Sequence, residues 1–205
     1  MVDHVLLEFI GEIKTVLESA MLERSAVEER LQMDLTLGDV TFETTYSLPG
    51  EDTPPRIRAD ISIEWSTWSQ SAYRSWTLGD GLDSEIEIDA EIVLHIHTDR
   101  AIALDEITAR LEPRSPEVLG GIFTLNGVAT EEGIDLTQDL RQFGSEFIYQ
   151  ATLHLDEHLL EQSQRIGRGL EPLGQWLASQ LVRLDDINRR DGGTNPGTSR
   201  HAAGS

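Results

Sequence analysis

The chain has 205 residues, with 37 Asp or Glu against 16 Lys or Arg, a formal charge of −21 and no cysteine. Disulfides, thiolate metal sites and thiol nucleophiles are therefore excluded. A field of this sign repels nucleic-acid phosphates and anionic lipid, which argues against sequence-specific nucleic-acid binding and against a membrane-surface role.

Lys14 is the only lysine. Two sources account for such a bias: a salt-adapted proteome, whose acidic surfaces stay hydrated while molar salt screens their self-repulsion, or a GC-rich genome that writes Arg for Lys. The acid excess and the missing lysine together favour salt adaptation. No apolar run approaches the ~20 residues of a membrane span. The first residues are amphipathic rather than basic and then apolar, so a soluble protein without signal peptide is expected.

Residues 3–30 read as an amphipathic helix. Val5, Leu6, Phe9, Ile10, Ile13, Val16, Leu17, Ala20 and Met21 recur at helical spacing, and Asp3 is a plausible N-cap. From Leu31 the period changes to two: Leu31, Met33, Leu35 and Leu37 alternate, Gly38-Asp39 reads as a tight turn, and Val40, Phe42, Thr44, Tyr46 and Leu48 alternate again. Pro49 to Pro55 is a loop, because its prolines cannot continue a ladder. Ile57, Ala59, Ile61, Ile63 and Trp65 mark a third strand. Ser66 to Ser84, rich in Ser and aromatics, shows no clean period. There Trp68, Tyr73 and Trp76 either cover the end of the core or form an exposed loop that meets a neighbouring subunit, since aromatics anchor interfaces.

Glu85 to His97 is the clearest element. Ile86, Ile88, Ala90, Ile92, Leu94 and Ile96 take one face, while Glu85, Glu87, Asp89, Glu91, His95 and His97 take the other. Its length, ~43 Å at ~3.3 Å per residue, suits a rib in an assembly or an arm of an extended hairpin. A short helix follows over ALDEITARLEP, stopped by Pro113, and residues 114–135 read as a loop with turns at Gly120-Gly121 and Asn126-Gly127 around a short IFTL strand. SEFIYQATLHLD is a further alternating strand. Leu159, Leu160, Ile166, Leu170, Leu173, Leu177, Leu181, Leu184 and Ile187 then hold a helical stripe, with a break or kink expected near 167–172 from Gly167, Gly169 and Pro172. The last residues form a disordered tail.

These elements predict an α+β fold: an N-terminal amphipathic helix packed on a mainly antiparallel sheet with one long strand (about 85–97), plus a C-terminal helical region. The expected division is an α+β domain over 1–156, a helical extension over 157–190 and a disordered tail over 191–205.

The residue chemistry points to no catalytic or metal site and no cofactor. His154 to His158 matches H-x-x-E-H, yet His154 ends a strand pattern and only His158 starts a helix, so the two histidines lack the shared helical face that zinc needs. His95 and His97 share a strand face ~7 Å apart, which suits a solvated pair or a contact with a partner better than a metal. Carboxylate pairs are everywhere, no glycine-rich stretch continues as a phosphate loop, and no serine sits in a nucleophile elbow. Trp68, Tyr73, Trp76, His95 and His97 are accordingly the candidate subunit-interface residues.

The order helix, hairpin, strand RIRADISIEW, long strand EIDAEIVLHIHT, helix LDEITARL, irregular segment and closing strand SEFIYQATLHL resembles that of the tail-terminator and tail-completion proteins of tailed viruses. The resemblance covers residues 1–156; the helical region at 157–188 and the Ser/aromatic stretch at 66–84 depart from it. It implies a non-enzymatic subunit that closes into a ring, six-fold in that family, at the head–tail junction. Its partners would be further copies of itself and neighbouring head or tail proteins, and its location the virion, assembled in the host cytoplasm. With the salt-adapted composition, the host would be a halophilic archaeon. The alternative is a soluble, cytoplasmic adaptor or regulatory domain that binds a protein partner through its C-terminal helices.

Overall fold

The computed structural model describes residues 3–51, 53–79, 86–135, 140–162 and 164–192. Helix α1 (His4–Ser19) follows Asp3, which takes the N-cap position without a side-chain capping bond. The expected helix to residue 30 ends eleven residues early. Met21 adopts φ 64° and the Leu22 amide closes on the Leu17 carbonyl at 3.2 Å, after which strand β1 (Glu23–Met33) begins. The charged run ERSAVEER can be a strand because β1 lies at the edge of the sheet, where neither face has to be fully buried.

Strand β1 turns through Asp34, whose carboxylate accepts the amides of Thr36 and Leu37 at 2.7 and 2.6 Å, into β2 (Val40–Ser47). Strand β3 (Ile57–Trp65) follows the proline loop. The stretch expected to be irregular after it contains a regular helix, α2 (Thr67–Thr77), capped by the Ser66 hydroxyl on the Ser69 amide. Strand β4 (Ile86–Thr98) is the long alternating element; Glu85 lies outside the described residues. Then come α3 (Leu104–Thr108) and a second correction. Residues 114–135 are strands, β5 (Arg114–Val118) and β6 (Gly121–Asp135), joined at Leu119-Gly120. Positive φ at both turn residues, 47° and 75°, is the backbone a two-residue hairpin demands. Asn126-Gly127 is a bulge within β6 rather than a turn.

Strand β7 (Leu140–Leu155) completes a seven-stranded antiparallel sheet in the order β1-β2-β3-β4-β7-β6-β5 among the described residues. After α4 (Glu157–Glu161) the chain forms one helix, α5 (Gln164–Gly192). No break occurs at 167–172; the interruption lies earlier, between α4 and α5. Of the expected tail, Asp191 and Gly192 end α5, and 193–205 lie outside the described residues.

One face of the sheet carries the core. The alternating residues Ile57 to Trp65, Ile86 to Ile96 and Phe147 to Leu155 meet the stripes of α1 (Val5, Phe9, Ile13, Leu17) and α5 (Leu170, Leu173, Leu177, Leu181, Leu184) in one continuous cluster. Trp176 stacks on Phe123 and meets Tyr149 edge-on, with ring centroids at 6.4 and 5.2 Å. The glycines of α5 explain themselves here. A Cβ on Gly167 would fall on the Glu12 carboxylate, one on Gly169 on the Leu119 side chain, and one on Gly174 within 2.9 Å of the Val16 carbonyl. They let α5 lie close to α1 and to the β5–β6 turn.

Candidate functional site

Because β-strand side chains alternate, the residues between the core positions assemble on the opposite face of the sheet. Register places His95 between Arg58 of β3 and Glu146 of β7. His95 is only 8% exposed. Its Nε2 lies 2.8 Å from Asp60 Oδ2 and its Nδ1 3.4 Å from Glu146 Oε1. Asp60 also accepts the Thr45 hydroxyl at 2.8 Å and has Arg58 Nε at 3.5 Å. Burial alone would raise the Asp60 pKa; the bonds from His95 and Thr45 outweigh it and hold the carboxyl below its usual range. His97 is displaced downward by burial first, then by Arg58 and His95, with Glu131 and Glu146 opposing.

Both ring nitrogens of His95 face carboxylates of the same chain, which ties β3, β4 and β7 together on this face. Among the described residues no group of three or more His, Asp or Glu is arranged to hold a metal ion. His154 lies in β7 and His158 in α4, so the H-x-x-E-H spacing does not occupy one helix face.

Beside the cluster the same face is open. A trough of about 720 Å³ runs over β3, β4, β7 and β6, with Glu64, Asp89 and Glu91 along it. Thr152 donates to Asp89 at 2.7 Å and Gln150 to Glu91 at 2.8 Å. These neutral donors position the carboxylates without cancelling their charge.

The aromatics of α2 are not part of this face. Tyr73 packs on Trp65 and Trp76, with centroids at 6.3 and 6.0 Å, and Trp76 Nε1 donates to Glu157 at 3.2 Å. Those two rings close the end of the core. Trp68, by contrast, is 81% exposed. It stands beside the β1–β2 turn because the Thr67 amide donates to Asp39 Oδ1 at 2.6 Å and the Thr67 hydroxyl to the Leu37 carbonyl. At that turn Leu35 is 99% and Leu37 67% exposed, with Leu31 and Met33 close to half exposed.

The five interface candidates thus separate into two places: His95 and His97 on the polar sheet face, and Trp68 at an apolar corner, with Tyr73 and Trp76 turned toward the protein. Sequence reading missed the corner. Leu31, Met33, Leu35 and Leu37 alternate as core residues do, and only the position of β1 at the sheet edge shows that no layer covers them. No helix among the described residues is long and apolar enough to cross a membrane. Neither a protein-family model, nor a curated protein, nor a solved structure matches this chain.

Proposed function

We propose that this chain is a non-enzymatic structural subunit of a viral tail, of the tail-terminator or tail-completion kind, that closes into a ring at the head–tail junction. The observation that carries the reading is the open, acid-lined face of the sheet. The long β4 and its neighbours present Glu64, Asp89 and Glu91 over a broad trough that no element of the described chain covers. Carboxylates turned toward a central passage repel phosphate, so a polyanion passes without sticking.

The ties that His95 makes to β3 and β7 give that face rigidity. The adaptor alternative draws less support: the apolar stripe of α5, which such a domain would offer to a partner, already packs on α1 and the sheet. The acid excess is consistent with virions assembled in a salt-adapted host. Electron microscopy of the purified chain in ~2 M salt, where the Debye length is a few Å or less, tests the reading. Closed rings with an open bore are expected; a uniform population without rings contradicts it.

A further inference from the structure

The apolar corner stands on a different observation from the acid-lined face. We propose that it docks a second copy of this chain, with the two β1 edge strands pairing antiparallel across a two-fold axis at Gln32.

Four features of the chain point to that occupant. First, the corner is sparsely charged for an acidic surface: segments 31–39 and 66–79 together hold two carboxylates, Asp34 and Asp39, and one basic residue, Arg74. Two copies charged −21 each approach most easily there. Second, Leu31 and Met33 sit opposite Phe42 and Val40 of β2 and continue the core-side row of the sheet past its last covered strand. A further strand on that edge completes the row, and large exposed apolar patches mark such contacts. Third, the other sheet edge is closed to pairing, since β5 has five residues and contains Pro116, which has no amide hydrogen. Sheet continuation is therefore β1 to β1, which makes it two-fold.

Fourth, the sequence is self-complementary in that register. Residue 31 of one copy meets 33 of the other, so Leu31 faces Met33, and 30 meets 34, so Arg30 faces Asp34, twice. Arg30 stands opposite Glu43 of β2, and Asp34 is held by its own turn. The irregular register between Ser25 and Arg30 ends the regular edge on the other side, limiting the pairing to residues 30–34.

A contact this short buries less than the ~800 Å² per partner of a standard stable interface, so a covalent trap reads it better than mass alone. The natural chain has no cysteine. Gln32→Cys places the thiols of two copies on the axis, where antiparallel partners are about 4.5–5.5 Å apart at Cα, within the span of a disulfide. Under mild oxidation in ~2 M salt, chosen to screen the net repulsion, Gln32→Cys is expected to cross-link to a two-chain species. Glu171→Cys, exposed on α5, should stay single. Adding Leu31→Glu to Gln32→Cys should slow cross-linking at least tenfold. Circular dichroism matching the parent shows that each variant is folded. Cross-linking of Gln32→Cys no faster than that of Glu171→Cys, or unaffected by Leu31→Glu, overturns the proposal. Rings without the Gln32 cross-link would support the tail reading and refute this one; the cross-link without rings would do the reverse.

Discussion

The close approach of α5 to α1 can be tested with one substitution placed in two positions. Gly11 and Gly174 are both helical glycines, and Gly→Ala in a helix interior normally stabilises by about 0.5–1 kcal/mol. A Cβ at Gly11 meets nothing within 4 Å, so Gly11→Ala should gain that amount. At Gly174 the same Cβ would lie 2.9 Å from the Val16 carbonyl oxygen, 3.0 Å from a Val16 methyl and 3.3 Å from Ala20 Cβ. The nearest atom belongs to backbone, which cannot swing away, so two helices must separate. Overpacking of that kind costs about 1–3 kcal/mol, which exceeds the propensity gain. Gly174→Ala should therefore lose about 1 kcal/mol net. With an m-value of ~2–3 kcal/mol/M in urea, the midpoint moves down by ~0.3–0.5 M for Gly174→Ala and up by ~0.2–0.5 M for Gly11→Ala. Equilibrium urea unfolding followed by circular dichroism reads both. If Gly174→Ala stabilises as much as Gly11→Ala, α5 does not lie against α1 as described.

Three further outcomes follow from the same structure. Leu181→Ala should cost about 2–5 kcal/mol, because Leu181 is fully buried in the shared core; a loss below 1 kcal/mol in the same unfolding experiment would make α5 an appendage. Gly121→Ala should destabilise strongly, since its Cβ would collide with the Thr152 carbonyl of β7, whereas an appended side chain at Gly133 meets open space and should be tolerated, as thermal unfolding would show. The pH dependence has a defined sign. His97 is displaced downward in the folded chain by burial, so the unfolded chain binds its proton more readily. Its contribution is complete above about pH 6.5 and declines as the pH falls below that value. Asp60, also displaced downward, acts lower: its contribution is present above about pH 3.9 and is lost as acid titrates it through its folded pKa. Urea midpoints measured from pH 8 to 3 should decline in both windows, His97→Gln weakening the first decline and Asp60→Asn reducing the second without removing it, because Glu29 and Asp34 are also displaced downward.

Where the sequence spoke clearly, a buried face did the speaking. Ile57 to Trp65 and Ile86 to Thr98 are central strands with one face on the core, so their alternation survives intact. Elements that bury little or bury polar groups were illegible. Strand β1 lies at an edge and carries Glu and Arg at helix-compatible spacing. Helix α2 buries Ser69 and Gln70 rather than an aliphatic stripe. It docks by hydrogen bonds, the Ser69 hydroxyl donating to the Glu87 carbonyl at 2.6 Å and Gln70 Nε2 to the Gly38 carbonyl at 2.8 Å. A hydrophobic period cannot report such a helix. Gly167, Gly169 and Pro172 suggested a break, but two of these residues answer to close neighbours distant in sequence. The pairing of His95 with Asp60 and Glu146 likewise depends on strand order, which local pattern does not encode.

We propose that this chain works through contacts between copies of itself. Light-scattering mass in low salt and in ~2 M salt, where the Debye length is a few Å or less, tests it most directly. Masses above that of one 22.9 kDa chain should appear in ~2 M salt, diminish in low salt, and fall when Leu31 and Met33 are changed to Glu. A single-chain mass in both salts, at every concentration, would contradict the account.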